Sequence, residues 1–191
     1  MIKKIIVLCM LLSIVGCSQT TTKEEKTYEI TIPLSLTNYS GNAADDVPGL
    51  IDDYNEEKKY CQEAKAGDND SIILVSTQKQ INKYIKDNNK LLKDTLESKF
   101  YNTNDIYKFE GSKDFKTASI YCDEKQNPQN FFQVESTIFT VYGLNHILTE
   151  KDSNWGIDFK VINVHSGNIV SEANIPDEEF SLQGEMWAQS Y

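Results

Sequence analysis

The chain has 191 residues, 39% hydrophobic and 25% charged, a balance that gives one ordinary globular domain a real core and does not suit a disordered chain. Its net charge is -10, and all 19 basic residues are lysine. Without an arginine fork for bidentate phosphate contacts, and with an overall charge that repels polyanions, it is not expected to bind DNA or RNA.

The amino terminus carries an address. Lys3 and Lys4 precede IIVLCMLLSIV, too short to span a bilayer as an ordinary helix but long enough for the apolar region of a secretion signal. Ile14-Val15-Gly16-Cys17 resembles a bacterial lipobox, whose usual order is Leu, then Ala or Ser, then Gly or Ala, then Cys. Val15 is the less common residue in that pattern. The resemblance implies cleavage after residue 16 and a diacylglyceryl group on Cys17, which becomes the mature first residue. An uncleaved signal anchor is the alternative. Two or more acyl chains give stable anchoring, where one chain binds only marginally. Residues 17–27 are then the lipidated cysteine and a polar tether, SQTTTKEEKT, and residues 28–191 one folded domain.

Cys9 leaves with the signal and Cys17 is taken by lipid, so Cys61 and Cys122 remain in an extracytoplasmic chain. They can form one disulfide, worth roughly 4 kcal/mol on the chain-entropy account; two buried thiols are the alternative. Neither sits in a Cys-x-x-Cys pair or a basic setting that would activate a thiolate.

YEITIPLSL alternates, with Tyr28, Ile30, Ile32, Leu34 and Leu36 on one face, and predicts a half-buried strand. Pro33 cannot donate to a ladder, which places that strand at an edge or a bulge. After the turn TNYSGN, a helix is expected from about Pro48 to Ala66. Asp45 and Asp46 suit its start and Gly67 its stop, with Cys61 and Ala64 on the same face as Leu50, Ile51 and Tyr54. SIILV is a short apolar strand.

A second helix follows. Thr77 and Gln80 form a capping box, and Ile81, Tyr84, Ile85, Leu92 and Leu96 make its apolar stripe. Lys79, Lys83, Lys86, Lys90 and Lys93 fall opposite that stripe as a basic ridge. Residues 79–116 hold nine lysines against six acids, whereas 27–75 hold three against ten and 123–191 three against eleven. The ridge is either a contact for an anionic surface or a solvated helix face diluted by Asp87, Asp94 and Glu97.

Residues 100–135 are polar, with FKTASIYC a candidate strand and DEKQNPQN a loop. Beyond them TIFTVYGLNHIL, WGIDFKVINV and NIVSEANI read as three successive strands. In the join VHSGN, Gly167 supplies the positive φ of a short turn and His165 and Ser166 its polar residues.

This order of elements resembles the lipoproteins of the penicillin-binding-protein activator and curli-secretion superfamily. The matching positions are Val141-Tyr142-Gly143-Leu144, Phe159 to Asn163, and Ser166-Gly167-Asn168-Ile169-Val170. Ser166 stands where the family usually has Thr and Ser171 where Trp is frequent, and residues 100–135 have no counterpart. The resemblance implies a non-enzymatic α/β lipoprotein that docks on an envelope protein. A curli-type barrel is not expected, because the polar middle lacks strands of about ten alternating residues.

No constellation demands an enzyme. His146 and His165 have no second pair of ligands at metal spacing, and Gly-x-Ser-x-Gly and phosphate-loop patterns are absent. The pairs Asp45-Asp46, Asp52-Asp53, Glu56-Glu57 and Glu178-Glu179 read as solvated surface, and Asp68-Asn69-Asp70 lacks the glycine and distal glutamate of a calcium loop. The expectation is an α+β (or α/β) domain, two principal amphipathic helices on a mainly antiparallel sheet with a C-terminal β-meander. No catalytic residue, metal or cofactor is assigned. The expected role is a protein-binding accessory at the membrane; the rivals are a receptor for a small ligand or envelope polymer, and an envelope hydrolase. The carboxyl-terminal run with Trp187 and Tyr191 either pins itself to the domain or docks elsewhere.

Overall fold

The computed structural model describes residues 25–38, 47–101 and 106–191. The signal segment, Cys17, most of the tether, much of the TNYSGN turn, and Asp45 and Asp46 lie outside the described residues.

The fold is α+β. Strand β1 (Thr27–Pro33) runs into a short helix α1 (Leu34–Asn38), and α2 (Val47–Glu57) leads to the hairpin of β2 (Glu63–Gly67) and β3 (Ser71–Thr77). These strands form an antiparallel sheet in the order β1-β3-β2. Pro33 lies on the edge strand β1, as its missing N–H requires. Alternation buries Ile30 and Ile32, and the burial carries on through Leu34 and Leu36 although the chain has by then turned helical.

The helix expected over 48–66 ends early. Lys58 takes φ of 46°, a left-handed residue that breaks the helix, and residues 63–67 pair with β3 instead. Asn55 on α2 accepts from the Ala64 N–H at 2.7 Å and donates to its carbonyl at 2.9 Å, so this side chain covers part of the free edge of β2. Cys61 and Ala64 are buried as expected, but from a turn and a strand. Asp68, Asn69 and Asp70 are the β2–β3 hairpin turn, the last two at φ of 53° and 51°.

Helix α3 (Gln78–Leu96) has the expected capping box: Thr77 Oγ1 accepts from the Gln80 N–H and Gln80 Oε1 accepts from the Thr77 N–H at 3.0 Å. Its buried face is Ile81, Tyr84, Asn88, Leu92 and Leu96. A π-helical turn, Glu97–Tyr101, follows it.

The second sheet has the order β4-β5-β6-β7, from β4 (Ile106–Gly111), β5 (Thr117–Cys122), β6 (Ile157–Asn163) and β7 (Ile169–Ile175). Its pairs are antiparallel except β5 with β6, whose parallel pairing needs a crossover. That crossover is α4 (Pro128–Glu150), capped by Asn127, whose side chain accepts from the N–H groups of Gln129 and Asn130. Residues 137–148, expected as a strand, are the middle of this helix. They read as a strand because α4 has no polar face to give it helical periodicity: it is buried nearly all round. Phe131, Val134, Ile138, Phe139, Val141 and Tyr142 pack into the core of the second sheet, while Leu144, Ile147 and Leu148 enter the core of the first. Trp155 packs against both cores. The C-terminal meander is β6 and β7, closed by a short helix, α5 (Gly184–Gln189).

A cavity between the two cores

Helices α3 and α4 lie side by side, and α1, α2 and β1 close over one flank of the pair. Where these elements meet they leave a cavity of about 200 Å³. Ile32, Leu36 and Leu50 wall one side, and Val141 and Leu144 of α4 the other. Leu91 of α3, 52% exposed, stands where the cavity meets solvent. Among the described residues no lysine or carboxylate lines it.

Its polar groups are few and buried. Tyr54 of α2 and Tyr84 of α3 share a hydrogen bond of 2.6 Å between hydroxyls. Burial is the main reason both phenols are held protonated to higher pH than usual. Tyr84 also stacks on Tyr60, whose hydroxyl donates to Asp87 at 3.0 Å. Asn88 donates to Asn145 Oδ1, and Asn145 donates to Asn89 Oδ1, each at 2.9 Å, forming an amide chain that ties α3 to α4. The Thr140 hydroxyl on α4 is buried without a hydrogen-bond partner. A sequence signal for this site exists: Asn88 stands at the core-facing step between Tyr84 and Leu92, where an apolar residue is expected.

The sequence candidates are dispersed around this site. All five lysines of the ridge are exposed, and three are paired within α3, Lys83 with Asp87, Lys90 with Asp94 and Lys93 with Glu97. Asp87 also binds Lys59 at 3.1 Å, and Lys59, Lys83 and Tyr60 hold its carboxyl down to about 2. Among the described residues Lys79 and Lys86 make no ion pair.

Cys61 and Cys122 are both free and buried, and they belong to different cores, Cys61 to the first and Cys122 to the second. Of the two alternatives, the structure has the pair of buried thiols and not the disulfide. Burial raises the pKa of each thiol, that of Cys122 to about 12, which makes them inert.

His165 and Gly167 form the β6–β7 turn, Gly167 at φ of 77°. His165 Nε2 lies 2.7 Å from Asp123 Oδ2, a contact that lowers the Asp123 pKa and ties the turn to the end of β5. Ser166 donates its hydroxyl to the Ser190 carbonyl, and Asn163 donates to Ser190 Oγ at 2.9 Å. With Trp187 buried, these bonds pin the carboxyl-terminal run to the turn. Among the described residues no cluster of three or more His, Cys, Asp or Glu is placed to hold a metal ion. Glu135 on α4 is an ionisable group that sequence reading passed over; burial pushes its carboxyl up to about 7.

Residues 141–144, one of the three segments resembling the penicillin-binding-protein activator superfamily, are helical and not a strand with its turn. Comparison of the chain with protein-family models, with curated proteins and with solved structures yields no match.

Proposed function

We propose that this chain is a membrane-anchored extracytoplasmic lipoprotein with a non-enzymatic, protein-binding accessory role in the cell envelope. Anchoring rests on the lipobox ending at Cys17. Among the described residues no helix is long and apolar enough to cross a membrane. The observation that carries the binding role is the apolar cavity between α2, α3 and α4, opening beside half-exposed Leu91 on the helix that bears the lysines. An apolar opening next to charge is the form a docking pocket takes for one anchoring side chain of a partner. A hydrolase finds less support, because the Ser166 hydroxyl is given to the Ser190 carbonyl, away from the His165–Asp123 pair, and the thiols are buried.

In-cell crosslinking of the lipidated protein, with Cys17→Ala and Leu91→Asp as comparisons, tests this. Capture of one envelope protein that both substitutions abolish supports the reading. Capture of nothing protein-sized sinks it. A second reading, a receptor for a small ligand, is favoured by one specific observation: the cavity keeps a buried hydroxyl, that of Thr140, with no hydrogen-bond partner among the described residues.

A further inference from the structure

We infer that the cavity binds a small neutral molecule built of an apolar body about the size of a benzene ring and one hydroxyl head. This rests on the receptor reading and names its ligand class. Size comes first. A dry apolar cavity of about 150 Å³ takes up benzene, so one of about 200 Å³ accommodates a ring or short chain with one or two further atoms.

Polarity follows from counting donors and acceptors. The hydroxyls of Tyr54 and Tyr84 have two protons between them and one shared bond, so one phenolic O–H is left to donate. Asn88 is 7% exposed and its amide already donates to Asn145. Thr140 adds a buried hydroxyl with no hydrogen-bond partner among the described residues. These groups line one small space whose remaining wall is aliphatic. A buried polar group left without a partner is destabilising, so a guest that satisfies the Thr140 hydroxyl and the spare phenolic O–H is favoured over an isosteric hydrocarbon. A hydroxyl both donates and accepts, which matches a left-over phenolic donor and the unpartnered Thr140 hydroxyl.

Charge is rejected by the same walls. With no lysine among the described lining residues, a carboxylate entering the cavity would lose its water and gain no counter-charge. The upward displacement of both tyrosine pKa values by burial reports the same penalty on negative charge.

The test is a titration of the full-length protein with p-cresol, toluene and p-toluate, read by methyl NMR shifts of Ile72, Val141 and Leu144 and by the thermal unfolding midpoint. We expect p-cresol to bind and raise the midpoint, toluene to bind at least ten-fold more weakly, and p-toluate not to bind. Thr140→Val, which keeps the shape and removes the hydroxyl, should narrow the gap between p-cresol and toluene. Leu91→Trp, at the half-exposed rim, should block both without disturbing the core. Absence of any p-cresol response at these methyls overturns the inference. So does equal binding of p-cresol and toluene that Thr140→Val leaves unchanged. Neither result bears on partner capture, which stands or falls by crosslinking.

Discussion

Asn88 of α3 and Asn145 of α4 meet side chain to side chain at 2.9 Å, and both are at least nine-tenths buried. An amide pair in such a place fixes the register of two helices, because sliding either one leaves its partner unsatisfied. Asn145→Ala removes an acceptor from Asn88 and a donor from Asn89. We expect a loss of about 1–3 kcal/mol in urea unfolding. Replacing both Asn88 and Asn145 by Leu should recover part of that loss, since the one group left without a partner, Asn89, is exposed to water. A double variant weaker than the sum of the singles would contradict this account.

Thr77 closes the amino end of α3 through reciprocal bonds with Gln80. Thr77→Ala frees the Gln80 N–H and should cost about 1 kcal/mol. Gln80→Ala should also destabilise, because that side chain donates to the Lys58 carbonyl at the end of α2 as well. Hydrogen exchange in the first turn of α3 would report both changes locally. Protection unchanged in that turn would count against the cap.

How far the fold was legible depends on how each element meets water. Helix α3 has one wet face and one dry face, so its stripe and its capping box stood out, as did the alternation in β1 and β6. Helix α4 spans two cores and has no wet face, so its apolar run carried no period and read as a strand. Residues 58–64 misled for a different reason: Cys61 and Ala64 sit at helical spacing from Tyr54 by coincidence, and the break falls at Lys58, a residue with no sequence mark of a left-handed conformation. The cavity was out of reach because its walls come from six separate elements. Only Asn88, polar on an apolar stripe, pointed to it.

Gly143 lies where α4 comes closest to its neighbours. A Cβ there would stand 2.6 Å from Leu36 Cδ1 and 2.8 Å from Trp155 Cε3. Gly143→Ala improves intrinsic helix propensity by about 1 kcal/mol, but the overlap must push apart two packed side chains, which typically costs about 1–3 kcal/mol. We expect a net loss of stability together with a changed tryptophan emission from Trp155. A stabilised variant would mean that Leu36 and Trp155 yield freely.

Because Cys61 and Cys122 are buried in different cores and free, the oxidation state of the solution should not set the stability of the domain. Unfolding midpoints with and without dithiothreitol should coincide. Both thiols should resist a thiol-labelling reagent until denaturant is added, since burial keeps them protonated as well as inaccessible. A midpoint that drops on reduction would show that the two sulfurs are linked.

Glu135 gives the domain a pH dependence near neutrality. Burial raises its pKa from 4.5 to about 7, so between those values the folded state holds a proton that the unfolded chain has released. Stability therefore falls as pH rises through that window and levels off above it, by up to about 3 kcal/mol if the site stays dry. The carboxyls of Asp87 and Asp123 are displaced the other way by their hydrogen-bond partners, and their contributions are lost only as pH falls below the ordinary carboxylate range. The two windows are separate, so one variant isolates the first. Glu135→Gln keeps the shape, removes the ionisation, and should flatten the stability curve between pH 5 and pH 7 while leaving the acid limb unchanged. Denaturant unfolding across that range decides it: an unaltered slope in the variant would assign the neutral-pH dependence to another group.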